Sequence, residues 1–228
     1  MAYEPQTRRP FRQEMDSLEH DVLEMASRAE TMVAKSVDAL TELDEPLAHS
    51  VMRADDEIDR MDLEIEARCL KLLALQQPMG TDLREIGSVM KIITDVERIG
   101  DLSVDIAKIC LKVEREMGET GYVDLVRISG LARRMLRLSM EAFVKRDLTL
   151  LDDVAELEEQ VDVLYRDLRG QIHEYMLHHS DQVVSASWLL LAVHHIERIA
   201  DHCLNMAERV GFMVTGELSQ LAGAGDTA

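Results

Sequence analysis

The pentapeptide ERIGD occupies Glu97–Asp101, and ERIAD occupies Glu197–Asp201, one hundred residues later. The likeness extends well past five residues. At the same offset, ITDVERIGDLSVDIAK falls on VHHIERIADHCLNMAE. At an offset of 103, Asp44, Leu47, Val51, Ile58 and Asp59 fall on Asp147, Leu150, Val154, Val161 and Asp162. A chain that repeats itself at such spacing is expected to fold as two similar units.

The units are helical. Breaks fall at LDEP (Leu43–Pro46), QQPMGTD (Gln76–Asp82), MGETG (Met117–Gly121), KRDLT (Lys145–Thr149) and HHSD (His178–Asp181). The six segments between them carry apolar residues three and four apart. Val22, Met25, Ala29, Met32, Val33, Ser36, Ala39 and Leu40 form one such stripe, and Ile86, Val89, Met90, Ile93, Val96 and Ile99 form another. Turn formers are scarce, with four Pro and eleven Gly, and aromatics are only 4%. That composition favours a few long helices over many short strands. Helix starts are expected at Asp82 with Glu85, as a capping box, and at Ser180–Asp181.

The expected fold is therefore all-α: two tandem, similar three-helix bundles, six long antiparallel helices in all. Residues 11–118 make the first repeat and 119–216 the second, with a disordered tail at 217–228.

Glu97 and Asp101 are four apart, so on a helix they share a face, about 5–6 Å apart at Cβ. Glu197 with Asp201 repeats this arrangement. The helix before each carries another pair, Asp55 with Asp59 and Glu158 with Asp162. Asp105 and Asn205 extend the faces by a turn. Four acidic pairs alone prove little in a chain with 44 acids, because an exposed helix face is often acidic. The recurrence of both pairs at matching places in both halves is the stronger signal. Like charges at this spacing cost a helix about 0.2–0.5 kcal/mol per pair. Facing pairs from two helices would repel further, and a cation would relieve them. Carboxylate oxygens suit hard cations such as Mg²⁺, Mn²⁺, Ca²⁺ or iron. His194 stands where the first half has Thr94 and could admit iron or zinc, or be an ordinary exposed histidine. Neither half has the Glu-x-x-His spacing of ferritin-like di-iron sites. Arg98 and Arg198 either orient the neighbouring carboxylates or make ordinary salt bridges between helices.

Other function classes recede. The net charge of −19 repels nucleic acid, anionic lipid and free phosphate unless a basic pocket or bound cation intervenes. One basic stretch departs from this background: Arg127, Arg133, Arg134, Arg137, Lys145 and Arg146. It could dock an acidic partner or neutralise an acidic helix beside it. Cys69, Cys110 and Cys203 are odd in number and far apart, which suits buried thiols in a reducing compartment. The N-terminal stretch has an Arg pair without an apolar run behind it, so neither a signal peptide nor a membrane span is expected. No phosphate-binding loop, nucleophile elbow or zinc-protease motif is written. The expectation is a cytoplasmic protein that is not an enzyme. A metal-dependent hydrolase or metal-storage bundle using the same carboxylates stays open as the alternative, as does a metal-free structural repeat.

Two stretches carry a resemblance. PMGTDLREIGSVMKIITDVERIGD (Pro78–Asp101) and HHIERIADHCLNMAERV (His194–Val210) resemble the two repeat signatures of the PhoU family of phosphate-uptake regulators. The resemblance implies two three-helix bundles without catalytic activity. It implies metal ions (Fe, Zn, Mn or Mg) on E(D)xxxD motifs: Asp55, Asp59, Glu97 and Asp101, extended by Asp105, on one face, and Glu158, Asp162, Glu197 and Asp201 on the other. It also implies an adapter between the ATPase subunit of the phosphate ABC transporter and the sensor histidine kinase of the phosphate response, holding that response off when phosphate is plentiful. The protein would act as a homodimer and reach the membrane only through its partners. Asn205 in place of a second Asp105, and His194 without a counterpart, imply that the two faces differ.

Overall fold

The computed structural model describes residues 9–113 and 124–221. They form six helices: α1 Arg9–Glu42, α2 Glu45–Gln76, α3 Thr81–Cys110, α4 Leu125–Lys145, α5 Thr149–His178 and α6 Val183–Thr215. The break at MGETG and the tail AGAGDTA lie outside the described residues. The tail expectation can be examined only at its start, where residues 217–221 are non-helical and the Leu221 N–H donates to Glu208.

The periodic stripes are the core. Every residue named above on α1 is buried, Ser36 included, and on α3 only Met90 is partly exposed. Ser36 tolerates burial because its hydroxyl donates to the Val33 carbonyl at 2.9 Å. Burial also follows the repeat. Ile58, Ile65, Cys69 on α2 and Val161, Leu168, Ile172 on α5 are buried at equivalent positions, 103 apart.

The helix starts differ from expectation in an instructive way. Gly80 is the N-cap of α3 and Gln182 that of α6, and neither side chain caps. Asp82 instead receives Arg12 at 3.0 Å, and Glu85 receives Arg146, so both acids serve tertiary contacts. The side chains that do cap are Asp44, accepting from the Leu47 N–H, and Asp124, accepting from the Arg127 N–H.

α1–α3 pack on one another, as do α4–α6, and α3 against α6 joins the two bundles, helped by α1 against α4. The junction is antiparallel. Ser88 donates to the Arg209 carbonyl, and Asp95 meets His202, so a step forward on α3 is a step back on α6. In that register, residues 97–101 lie level with residues 196–200. The doubled pentapeptide therefore sits at mid-height on both sides of one junction. Its apolar members Ile99, Gly100, Ile199 and Ala200 are buried.

Three residues of the basic stretch, Arg133, Arg137 and Arg146, neutralise acids on other helices. Arg133 and Arg137 both reach Glu30 on α1 at 2.8 Å, and Arg146 reaches Glu19 on α1 and Glu85 on α3. Arg146 makes these contacts from a left-handed backbone (φ 55°) at the end of α4. Replacing Arg146 by Ala is expected to destabilise the fold by about 1 kcal/mol, since the bridges are partly solvated. Urea unfolding checks this, and the loss should shrink in high salt.

Candidate metal centre

Gly100 brings α2 close to α3. A Cβ at that position would stand 3.1 Å from Asp55 Oδ1 and 3.3 Å from Ile58 Cγ2. The second repeat has Ala200 at the equivalent position. Gly100→Ala sets about 1 kcal/mol of helix propensity against this crowding. The expected outcome is a net stability change below 1 kcal/mol with an altered Asp55 titration, read by thermal melts and by NMR of the carboxyl.

The first face gathers Asp55 and Asp59 from α2 with Glu97 and Asp101 from α3. Asp55 Oδ1 is buried without a hydrogen-bond partner. Burial, then the neighbouring Asp59, Asp101 and Asp56, push its carboxyl up to about 6. Glu97 is raised as well, by burial first and then by Asp101, Asp62 and Asp59 against the opposing Arg98. Arg98 donates to Asp101 Oδ2 at 2.8 Å and lies 3.3 Å from Glu97 Oε2. It thus orients the two carboxylates of its own motif and makes no bridge to another helix among the described contacts. Asp105, one turn on, is paired with Lys108 at 2.9 Å.

The second face has the same plan with different clamps. Glu197 is raised by burial, then by Asp201, with Asp162 adding to it and His194 opposing. Its Oε2 is buried and lacks a well-aligned hydrogen bond, although His194 Nδ1 stands 3.1 Å away. Asp201 keeps an exposed edge, yet its carboxyl also moves up, from desolvation first, with His202 opposing. Glu158 is half-buried on α5, one turn before Asp162. His194 takes the place that Arg98 has in the first half.

Among the described residues, no three His, Cys, Asp or Glu side chains stand together as a formed metal cluster. The carboxylates share faces and feel one another without converging. The residues nevertheless fit a cation: each face carries one buried oxygen without a well-aligned hydrogen bond, and carboxyls driven up by burial first and by neighbouring carboxylates second. A cation would supply the missing partner and favour the ionised forms.

One pair escaped the sequence reading. Asp95 and His202, 2.9 Å apart and both largely buried, cross the junction beside both motifs. The signal was faint, because the two residues are not equivalent in the repeat and pair only through the antiparallel α3–α6 register.

The PhoU domain family matches residues 22–110 and 125–210, once in each bundle. The chain belongs to the PhoU family. It is 32% identical to the Clostridium acetobutylicum phosphate-specific transport system accessory protein PhoU homolog, over 92% of this chain and 97% of that one. The crystal structure of PhoU from Pseudomonas aeruginosa superimposes with a TM-score of 0.85 at 32% identity, covering 91% of this chain and all of that one. The phosphate transport system regulatory protein PhoU from Streptococcus pneumoniae gives 0.84 at 29%, covering 92% and 99%. These are accessory and regulatory proteins, and the hydrolase alternative falls with that finding.

Proposed function

We propose that this PhoU-family chain regulates phosphate-specific transport and holds the phosphate-starvation response off when phosphate is plentiful. It does so as an adapter between the ATPase subunit of the transporter and the sensor histidine kinase, working in the cytoplasm. The observation that carries this reading is the doubled PhoU domain, spanning nearly the whole described chain. No helix among the described residues is long and apolar enough to cross a membrane, which fits a protein that reaches the transporter from outside the bilayer.

The best-formed apolar groove among the described residues offers no unpaired cation to a phosphate. This groove, of about 410 Å³ between α1 and α4, is lined by Leu23, Ala26, Leu136, Met140 and Val144. The cations at its edge, Arg137 and Lys145, are already paired with Glu30 and Glu141. Phosphate status then arrives through the transporter, and this chain relays it by contact.

In this proposal Asp55, Asp59, Glu97 and Asp101 hold a metal ion on the first face, with Asp105 beside them. Glu158, Asp162, Glu197 and Asp201 hold one on the second. Bound metal neutralises each face and makes it a docking surface for an acidic partner. His194 gives the second face a nitrogen donor, which favours zinc or iron there, while the all-oxygen first face suits Mg²⁺ or Mn²⁺.

The test is deletion of the gene, with secreted alkaline phosphatase assayed in phosphate-rich medium. High output in the deletion strain is expected. Output as low as in the parent strain, with no second PhoU-family gene present, overturns the proposal.

A further inference from the structure

The repeat provides an internal comparison on the outer surface of each bundle. The offset of 103 that relates α2 to α5 also carries the buried stripe of α1 onto that of α4, Ser36 onto Ser139 and Ala39 onto Ala142. The outer groove between α1 and α2 is therefore equivalent to the one between α4 and α5. In the first repeat, ion pairs close it. Arg28 meets Glu24 on its own helix and Glu57 on α2, Arg60 meets Glu57 and Glu64, and Arg68 reaches back to Glu14 and Asp21 on α1. A space of about 130 Å³ remains.

In the second repeat those cations are gone. Leu131, Val163 and Gln171 stand where the first repeat has Arg28, Arg60 and Arg68, and Gln160 replaces Glu57. The groove widens to about 820 Å³. Leu131, Leu164 and Val163, which is 61% exposed, give it an apolar floor. Arg127 lines it from α4, and Glu156, Glu159 and Asp167 line it from α5. The other cations of the basic stretch on α4 are paired with Glu30, Glu141, Glu19 and Glu85, whereas Arg127 and Arg134 are exposed and make no ion pair among the described contacts. They stand four residues before and three after Leu131, so they share its side of the helix. In a chain of net charge −19, two arginines without an acid of their own are held ready for acids from outside.

We propose that the α4–α5 groove docks an amphipathic helix of a partner protein. Its apolar edge rests on Leu131 and Val163, its acidic flank faces Arg127 and Arg134, and its basic flank faces Glu156 and Asp167. A channel between two helices with an apolar floor accepts a third helix through residues spaced three and four apart. From Glu156 to Asp167 the channel runs roughly 17 Å, about three helical turns. The two walls differ in sign, so a helix with like charge on both flanks meets repulsion on one side, and a helix with unlike flanks meets none.

The groove is distinct from the proposed metal ligands, since none of its residues is among Glu158, Asp162, Glu197 and Asp201. It works without a cation. It adds a second kind of contact to the adapter reading and does not rest on that reading.

The probe is a fluorescently labelled synthetic peptide of about five helical turns, with leucine along one edge, glutamate on one flank and lysine on the other. It is titrated into the full chain and read by anisotropy. The matched peptide is expected to bind saturably, and peptides with lysine on both flanks or glutamate on both to bind about tenfold more weakly. Arg127→Glu with Arg134→Glu, both at exposed positions, should reverse the order of the matched and all-lysine peptides. Leu131→Arg with Val163→Arg rebuilds the closing cations of the first repeat and should abolish binding. Helical circular dichroism should stay unchanged, because Arg28 and Arg60 fill the same positions on α1 and α2. In cells, a photoreactive phenylalanine analogue at Val163 should cross-link to a partner segment with this pattern of edge and flanks. Absence of saturable binding up to millimolar peptide overturns the proposal, as does binding that survives Leu131→Arg with Val163→Arg. So does a cross-link formed only with lipid, with a second copy of this chain or with a segment lacking the pattern, or no cross-link at all.

Discussion

Glu97→Gln combined with Asp101→Asn is expected to abolish the metal binding proposed for the first face and to leave that of the second intact. Each substitution keeps side-chain size and helix context while removing a formal charge. The pair supplies half of the proposed ligands, and the buried orphan oxygen of Asp55 cannot hold a cation with Asp59 alone. Altering even supporting groups costs metal sites about 10–100-fold in affinity, so loss of two ligands should cost 100-fold or more. Isothermal titration with Mn²⁺ and Zn²⁺ reads the effect. The mirror variant, Glu197→Gln with Asp201→Asn, should remove the other site. The fold should tolerate both variants, since these acids lie at the helix surface and the neighbours they repel are themselves acids. Unchanged titrations in the four-fold variant would show that these motifs hold no metal.

The metal-free protein loses stability as pH rises from 4 to 6, and Asp55 is the main local cause. In the unfolded chain its carboxyl titrates near 3.8, and in the folded protein near 6. Between those values the folded state keeps a proton that the unfolded state has lost. Stability attributable to this group is therefore fully present below the lower value and lost as pH passes the upper one. A shift of that size corresponds to about 3 kcal/mol when fully buried. Partial solvation reduces it to on the order of 1–2 kcal/mol. Asp55→Asn should raise metal-free stability at pH 7.5 by that amount and change little at pH 4. Added cation should raise the wild-type melting temperature at pH 7.5 and have less effect on Asp55→Asn. Urea unfolding at several pH values, with chelator and without, checks each statement. Equal pH slopes for the two proteins would remove Asp55 from the account.

Much of the fold was legible because burial in a helical bundle writes a period. The α1 stripe from Val22 to Leu40 is buried as spaced, and the offset of 103 carries burial from Ile58, Ile65 and Cys69 to Val161, Leu168 and Ile172. The caps were less legible. Asp82 and Glu85 satisfy the sequence pattern of a capping box, but Arg12 and Arg146 draw both carboxylates into contacts that no local pattern shows. The basic stretch on α4 was ambiguous for the same reason. Its partner Glu30 is about a hundred residues away, and only the α1–α4 packing decides between internal pairing and docking.

At the candidate site, the sequence showed which carboxylates share a helix face. It could not show that Arg98 would clamp its own motif while His194 takes that place in the second half. Nor could it show that Gly100 lets Asp55 and Ile58 of α2 pack against the α3 backbone, or that Asp95 and His202 bridge the junction. Those depend on how helices meet, and the antiparallel α3–α6 register is written in no single segment.

The most direct test of the account is complementation of the deletion strain in phosphate-rich medium, with secreted alkaline phosphatase as the readout. Wild type and a variant carrying Glu97→Gln, Asp101→Asn, Glu197→Gln and Asp201→Asn are expressed to equal levels. The account predicts that wild type silences the response and that the variant, folded but stripped of both faces, leaves it high. A variant that silences as fully as wild type would contradict the claim that the paired carboxylate faces carry the regulation.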